Sequence, residues 1–312
     1  MGVDSLEQYR PDSIGYHAGE YRALADCNIN IMTHAFQYGT MVFGGIRAYF
    51  NQEKNQLFVF RLSDHVQRLL RSAHIMQMQS PLGPEEMAEV ILELARRNNA
   101  GCNLYFRPFI YKSALQLSPR LHDVKDDFSC YVIRLDDYLD MSRGLKVMVS
   151  SWRRIDENII PTRAKVSGGY ANSALAKSEA VQSGFDEAVL LDTRGMVSEG
   201  SAENLFMIRD GVLVTPHLAS SVLEGITRRS VLDIARHLGL PVLERDVARS
   251  ELYIADELFF SGTGAQIAWI AEVDRRRVAT GQIGHWTERI RQVFLESVTG
   301  RHPDFRHWVS PV

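Results

Sequence analysis

A chain of 312 residues carries 35 Lys+Arg against 38 Asp+Glu, a formal charge of −3, with no basic stripe, so nucleic acid is not an expected partner. Hydrophobic residues make up 45% without a low-complexity tract or an apolar run of membrane-spanning length, so neither long disorder nor membrane insertion is expected. The length exceeds what one core usually covers and predicts two domains or one large α/β domain.

In chain order, "LFVF" at 57–60 reads as a strand. "RLSDHVQRLLRSAHIM" follows as a helix, with Leu62, Val66, Leu69, Leu70 and Ala73 at helical spacing behind Ser63 as its N-cap. "PEEMAEVILELARRNN" is a second helix, because Pro84 and acids open it and Arg96 and Arg97 close it, as the helix dipole prefers. "NLYFRPFIYKS" and "FSCYVIRL" are β-branched and aromatic runs that predict strands. The Asp-rich, Gly-ended "DDYLDMSRG" then separates two registers, which gives a small domain over 1–136, a linker over 137–145 and a larger domain over 146–312.

The second half reads as strand "LKVMVSSWRR", a loop containing Lys165, a helix over 171–183 ending at Gly184, strand "EAVLLD", a turn at Thr193 to Gly195 and "MVSEGS". "NLFMIRDGVLVTP" is a hairpin through Asp210-Gly211. Helix "GITRRSVLDIARHLG", strands "PVLERDV" and "ELFFSG", hairpin "QIAWIAEVDRRRV" and closing helix "HWTERIRQVFLESV" complete the chain.

Three cysteines, Cys27, Cys102 and Cys130, form no CxxC pair, and the N-terminus lacks a signal-peptide core. A soluble, cytoplasmic protein without disulfides is therefore expected. The ten histidines show no metal-ligand spacing, and no metal is expected.

Several segments pair a chemical reading with a plain one. Lys165 in "PTRAKVSGGY" is followed by Ser167, Gly168 and Gly169, which clear space for a flat ligand. It reads as a Schiff-base amine or as an ordinary loop lysine, and Tyr170 as a partner phenol or a core-edge residue. "VSEGSAENLF" holds Glu199 and Glu203; a buried glutamate there needs a cation or a donor, an exposed one needs nothing. "SSVLEGITRRS" enters a helix at Gly225, Ile226 and Thr227, where free N–H groups attract phosphate, although simple capping uses the same residues. "FFSGTGAQI" ends a strand in Gly262-Thr263-Gly264 and could present amides to an anion; as a dinucleotide motif it is a weak signal, because Ile267 stands at the third glycine. Tyr105 and Arg107 are two apart and share a strand face, putting a phenol beside a guanidinium, while Tyr38 and Arg47 lie in "HAFQYGTMVFGGIRAYF".

In this order the motifs "HAFQYGTMVFGGIR", "DHVQRL", "YFRP", "IPTRAKVSGGY", "FDEAVLLDTRGMVSEGSAENLF", "TP" with "LEGITR", and "ADELFFSGTGAQI" resemble the fold type IV pyridoxal-phosphate aminotransferases, most closely the branched-chain amino-acid type, from about residue 26 to 300. The resemblance implies a mixed α/β, two-domain fold with a smaller N-terminal domain and a larger C-terminal domain around a barrel-like sheet. It implies pyridoxal 5′-phosphate as cofactor, with Lys165 on its aldehyde, Glu199 facing the ring nitrogen, Tyr170 near the ring hydroxyl and Leu223 against the ring face. Arg68, the N–H groups of Ile226 and Thr227, and the Thr263 hydroxyl would take the phosphate. Tyr105, with the Thr263 and Gly264 amides, would take the substrate α-carboxylate; Arg107 and Tyr138 would lie near the substrate side chain, with Arg107 meeting the second carboxylate of glutamate, and Arg47 would be a further substrate-binding residue. Tyr38 belongs to a segment that enters a neighbouring subunit's pocket in relatives, which implies a homodimer or an assembly of dimers. The implied reaction is ping-pong transamination between branched-chain L-amino acids and 2-oxoglutarate. A D-amino-acid or (R)-amine transaminase, an aminodeoxychorismate lyase and, remotely, a nucleotide-binding oxidoreductase are the alternatives. Gly44, Glu224, Gly264 and Gln266 depart from the usual pattern and bear on substrate range more than on the cofactor.

Overall fold

The computed structural model describes residues 10–98, 101–135 and 143–312. They form two compact units, one from the described residues of 1–136 together with 297–312, the other from those of 137–296. The sequence reading carries the second domain to 312. Residues 297–312 belong instead to the first unit, and Val309–Pro311 pairs antiparallel with Gln56–Phe60 there. Most of the expected linker, 137–145, lies outside the described residues.

The first unit contains β1 (Ile14–His17), β2 (Glu20–Ala23), α1 (His34–Tyr38), β3 (Met41–Phe43), β4 (Ile46–Asn51), β5 (Gln56–Phe60), α2 (Leu62–Ile75), α3 (Pro84–Asn98), β6 (Leu104–Lys112) and β7 (Asp126–Arg134). Its antiparallel sheet runs from 309–311 through β5, β4, β6, β7, β1 and β2, with β3 also on β6. Along β6, Leu104, Phe106 and Ile110 are fully buried while Tyr105, Arg107 and Phe109 are only half-buried. That alternation is what a pleated strand covered on one face produces, and α2 and α3 supply contacts to the sheet. Ser63 does not cap α2. The cap lies two residues earlier, at Arg61 in the left-handed region at φ 47°, and the Arg61 N–H is taken by the Trp308 carbonyl at 2.6 Å.

The second unit contains β8 (Leu145–Arg153), α4 (Tyr170–Gln182), β9 (Glu187–Leu191), β10 (Val197–Gly200), β11 (Asn204–Arg209), β12 (Val212–Thr215), α5 (Ile226–His237), β13 (Val242–Glu244), β14 (Glu257–Gly262), β15 (Gln266–Val273), β16 (Arg276–Arg277) and α6 (His285–Val298). The last strand of the chain, β17, is Val309–Pro311. Strands β10, β9, β8, β15, β14 and β11 follow one another in the sheet, and a β10–β11 pairing closes them into a six-stranded barrel. Only the β8–β9 and β8–β15 pairs of that ring are parallel. Inward positions such as Val147, Val189, Leu205, Leu258, Phe260 and Ile270 fill the interior. Asn204 and Ser261 face each other across β11 and β14, and the outward Phe206 and Phe259 rings stack at 5.1 Å below them. On the other side, Ala176 and Ala180 of α4 lie against Ala188 and Leu190 of β9, small residues that let helix and strand approach closely. Among the described residues no helix is long and apolar enough to cross a membrane.

Candidate functional site

A cleft in the second unit is lined by Arg154, Lys165, Tyr170, Glu199, Glu203, Asn204 and Leu223, together with backbone of the 160–169 loop. Lys165 stands in that loop just ahead of a 3-10 turn, Ser167–Gly169, which runs directly into α4. One turn of helix brings the phenol back over the amine: Lys165 Nζ donates to Tyr170 Oη at 2.5 Å. The loop is fixed upstream by Glu157, whose carboxylate accepts both the N–H and the hydroxyl of Thr162 at 2.8 and 2.5 Å. The lysine is therefore half-buried and aimed rather than solvated.

Glu199, on the closing strand β10, is 4% exposed. Its Oε1 meets the Arg154 guanidinium at 2.8 Å, and its Oε2 accepts the Asn204 amide and the Leu223 N–H, each at 3.0 Å. A carboxylate offers about four lone-pair directions. Three are filled, and the fourth is left for a donor in the cleft. Arg154 also reaches the Ser221 carbonyl and the Ser173 hydroxyl at 3.4 Å, and the Ser198 hydroxyl donates to the same carbonyl at 3.3 Å. Ser221 needs this support, because it sits in the left-handed region at φ 56°. Asn204 joins the ends of the site: it donates to Glu199 and to the Leu223 carbonyl, and its Oδ1 fills the space a Cβ at Gly225 would occupy. Glycine is required there by contact.

Glu203, on the same cleft wall, is also buried; it accepts the Ala202 N–H at 3.0 Å, and the Lys177 charge offsets only part of its burial. Burial, and then the nearby charge of Glu187, pushes its carboxyl up to about 8.

Gly225 is the N-cap of α5, and no side chain caps the helix, although Ile226 and Thr227 are buried. A buried helix start without an acceptor calls for an anion. A second orphan lies beneath it: the Ser261 hydroxyl is buried and has no hydrogen-bond partner. Thr263 and Gly264 follow in the β14–β15 turn, both half-buried. These features fit a phosphate-bearing ring cofactor, with a fixed carboxylate, an aimed amine and an anion cradle in one unit.

The remaining sequence candidates lie in the first unit. Arg107 donates to the Tyr105 hydroxyl at 2.9 Å, with its guanidinium over the Phe43 ring at 4.7 Å. The Tyr105 hydroxyl leans on Gly45, where a Cβ would collide with it. Arg68 is buried on α2. Arg47 is 2% exposed, donates to the Leu135 carbonyl at 3.0 Å and lies over the Tyr49 ring, so its guanidinium serves the backbone of its own unit. Tyr38 ends α1, packed on His34 with ring centroids 4.8 Å apart. Tyr138 lies outside the described residues. Of the departures, Glu224 pairs with Arg163 at 3.2 Å, Gln266 takes a left-handed φ of 55°, and a Cβ at Gly44 would press on Pro108 at 3.2 Å.

Sequence reasoning missed Arg154, Asn204 and Ser261. Arg154 is marked only as half of a basic pair closing a strand, Asn204 only by standing next to Glu203, and Ser261 only by preceding the Gly262-Thr263-Gly264 turn.

Comparison with known proteins accords with this geometry. Residues 41–273 match the family described as amino-transferase class IV. A probable branched-chain-amino-acid aminotransferase of Aquifex aeolicus is 42% identical over 298 residues, covering 95% of this chain and 96% of its own. The crystal structure of a branched-chain aminotransferase from Thermoproteus uzoniensis with norvaline superposes with a TM-score of 0.92 at 40% identity, over 96% of this chain and 98% of that one. The T.th. branched-chain amino acid aminotransferase complexed with N-(5′-phosphopyridoxyl)-L-glutamate gives 0.91 at 39%, over 97% and 99%. By sequence over nearly its whole length and by fold, the chain belongs to the class IV amino-transferase family.

Proposed function

We propose that the protein is a pyridoxal 5′-phosphate-dependent aminotransferase that moves the amino group of branched-chain L-amino acids to 2-oxoglutarate. The observation that carries this reading is the three-donor clamp on Glu199 beside the Lys165–Tyr170 pair. The relatives named for branched-chain amino acids, and the neighbour held with a phosphopyridoxyl glutamate, support the substrate pair.

When bound, the cofactor supplies an electron-withdrawing ring that accepts the electrons released as the substrate Cα loses its proton. The protein's part is holding and moving protons. Lys165 would hold the cofactor through its aldehyde, and its ε-amino group, once free, would take the proton from the substrate Cα and deliver it to the cofactor carbon beyond the bridging nitrogen. Tyr170, already bonded to that amine, steadies it for the transfer. Glu199 would hold a proton on the ring nitrogen of the bound cofactor, with Arg154 balancing its charge and Asn204 fixing its plane. Such a pair, shielded from water, exerts several times its effect in bulk solvent.

The N–H groups of Ile226 and Thr227, the Thr263 hydroxyl and Arg68 are proposed to hold the phosphate, with Leu223 against the ring. Tyr105 and the Thr263 and Gly264 amides are proposed for the substrate α-carboxylate. Arg107 is proposed for the second carboxylate of glutamate, a role suited to a guanidinium already oriented by Tyr105. Tyr138 stays a proposal near the substrate side chain, and Arg47 a proposal for substrate binding.

A second copy of the chain is the proposed partner. Ile31, Phe36 and Leu117 are 77%, 64% and 78% exposed, and they flank the Thr33–Leu115 bridge that joins their two segments. An apolar face of this kind is uncommon on a monomer.

Amino-donor profiling with 2-oxoglutarate tests the function. L-leucine is expected to turn over faster than D-alanine or a chiral primary amine. Preference for either of the latter moves the protein to another subclass of its family.

A further inference from the structure

The start of α5 and the Ser261 hydroxyl are two independent unsatisfied features, and the strand register brings them together. Ser261 lies directly opposite Asn204 in the antiparallel β11–β14 pair. Directly paired residues of this kind share a face, with Cβ atoms about 5 Å apart. Asn204 in turn abuts Gly225, the N-cap of α5, through the contact that excludes a Cβ there. Ser261 thus sits beneath the first turn of that helix, two residues before Thr263.

Ser261 is 1% exposed, and its hydroxyl is buried and pairs with no protein atom. Its neighbours on that face are otherwise engaged: the Asn204 amide donates to Glu199 and Leu223, and the Thr215 hydroxyl donates to the Leu205 carbonyl at 2.7 Å. A buried hydroxyl with no partner is costly, and native proteins rarely keep one.

We propose that Ser261 is a direct phosphate ligand, donating its hydroxyl proton to an oxygen of the anion held at the start of α5. Ser261 approaches from the sheet below while the Ile226 and Thr227 N–H groups point from the helix end, so the phosphate is gripped from two elements. The assignment rests on the pyridoxal-phosphate reading above and adds a ligand to it.

The test titrates the full-length apoprotein with pyridoxal 5′-phosphate and, separately, with pyridoxal, which lacks the phosphate, following the absorbance of the bound form. Ser261→Ala is expected to weaken pyridoxal 5′-phosphate about tenfold, the scale of a hydrogen bond to a charged group, while binding pyridoxal as the wild type does. The phosphorus resonance of the bound cofactor is expected to shift in the same variant. Ser261→Thr, which keeps the hydroxyl, should restore affinity to within about threefold. If Ser261→Ala fails to fold, Ser261→Cys, nearly isosteric and only a weak donor, takes its place in the same titrations. Unchanged pyridoxal 5′-phosphate affinity, an equal loss for both ligands, or a Thr variant as weak as the Ala variant would overturn the assignment. Failure of the wild type itself to form an adduct at Lys165 is a separate result, and it removes the cofactor reading instead.

Discussion

Glu199 and Glu203 lie four residues apart, both buried, and their different partners give them different work. Glu199 has a guanidinium and two N–H donors, so its charge is held in place. Glu199→Gln keeps the shape and removes the charge, and kcat for L-leucine is expected to fall by about 10²- to 10³-fold with the cofactor still bound; steady-state kinetics beside an absorbance spectrum checks this. At Glu203 burial, and then the charge of Glu187, outweigh the Ala202 N–H and the Lys177 charge and raise the carboxyl from 4.5 to about 8. The folded protein therefore holds a proton that the unfolded chain has released, and stability declines as pH climbs from the unfolded value through the folded one. Glu203→Gln removes that dependence. Its melting temperature should drop by a few degrees less than that of the wild type between about pH 6 and about pH 9, as measured by differential scanning calorimetry. Both carboxylates were visible in the sequence as a pair needing partners if buried. Which of them receives one was not, because Arg154 arrives from the end of β8, 45 residues away in the chain.

At the scale of elements, local patterns were readable and distant pairings were not. Helix α6 occupies 285–298 as its sequence suggests, and Asp210 and Gly211 both adopt positive φ, 51° and 74°, as the hairpin turn requires. Ser63 looked like a cap because serine suits that position, yet a contact with Trp308, at the far end of the chain, sets where α2 begins. The pairing of β17 with β5 spans about 250 residues, and no local signal announces it. Asn204 and Ser261 escaped notice for the same reason, since their positions follow from barrel register rather than from neighbouring residues. The start of α6 illustrates capping from a distance. Glu257 of β14 accepts the Trp286 N–H at 3.0 Å and the Thr287 N–H and hydroxyl at 2.7 and 2.6 Å, with its side chain against Gly284. Glu257→Ala leaves that helix end uncapped, and a loss of about 1–2 kcal/mol, read by urea denaturation, is expected.

For the whole molecule, the described residues divide into two compact units. The barrel unit holds Lys165, the clamped Glu199 and the uncapped start of α5, and the antiparallel unit holds the Tyr105–Arg107 pair and the exposed apolar face. If a second copy covers that face, replacing Ile31 and Leu117 together by aspartate should shift the protein toward monomer in sedimentation velocity; an unchanged assembly would place the interface elsewhere. The central claim concerns one nitrogen atom, Lys165 Nζ. Hydride reduction of the cofactor-loaded protein followed by intact-mass and peptide analysis tests it directly. The account predicts one phosphopyridoxyl group per chain, located on Lys165 and absent from Lys165→Ala. Modification of a different lysine, or none on the loaded wild type, would contradict it.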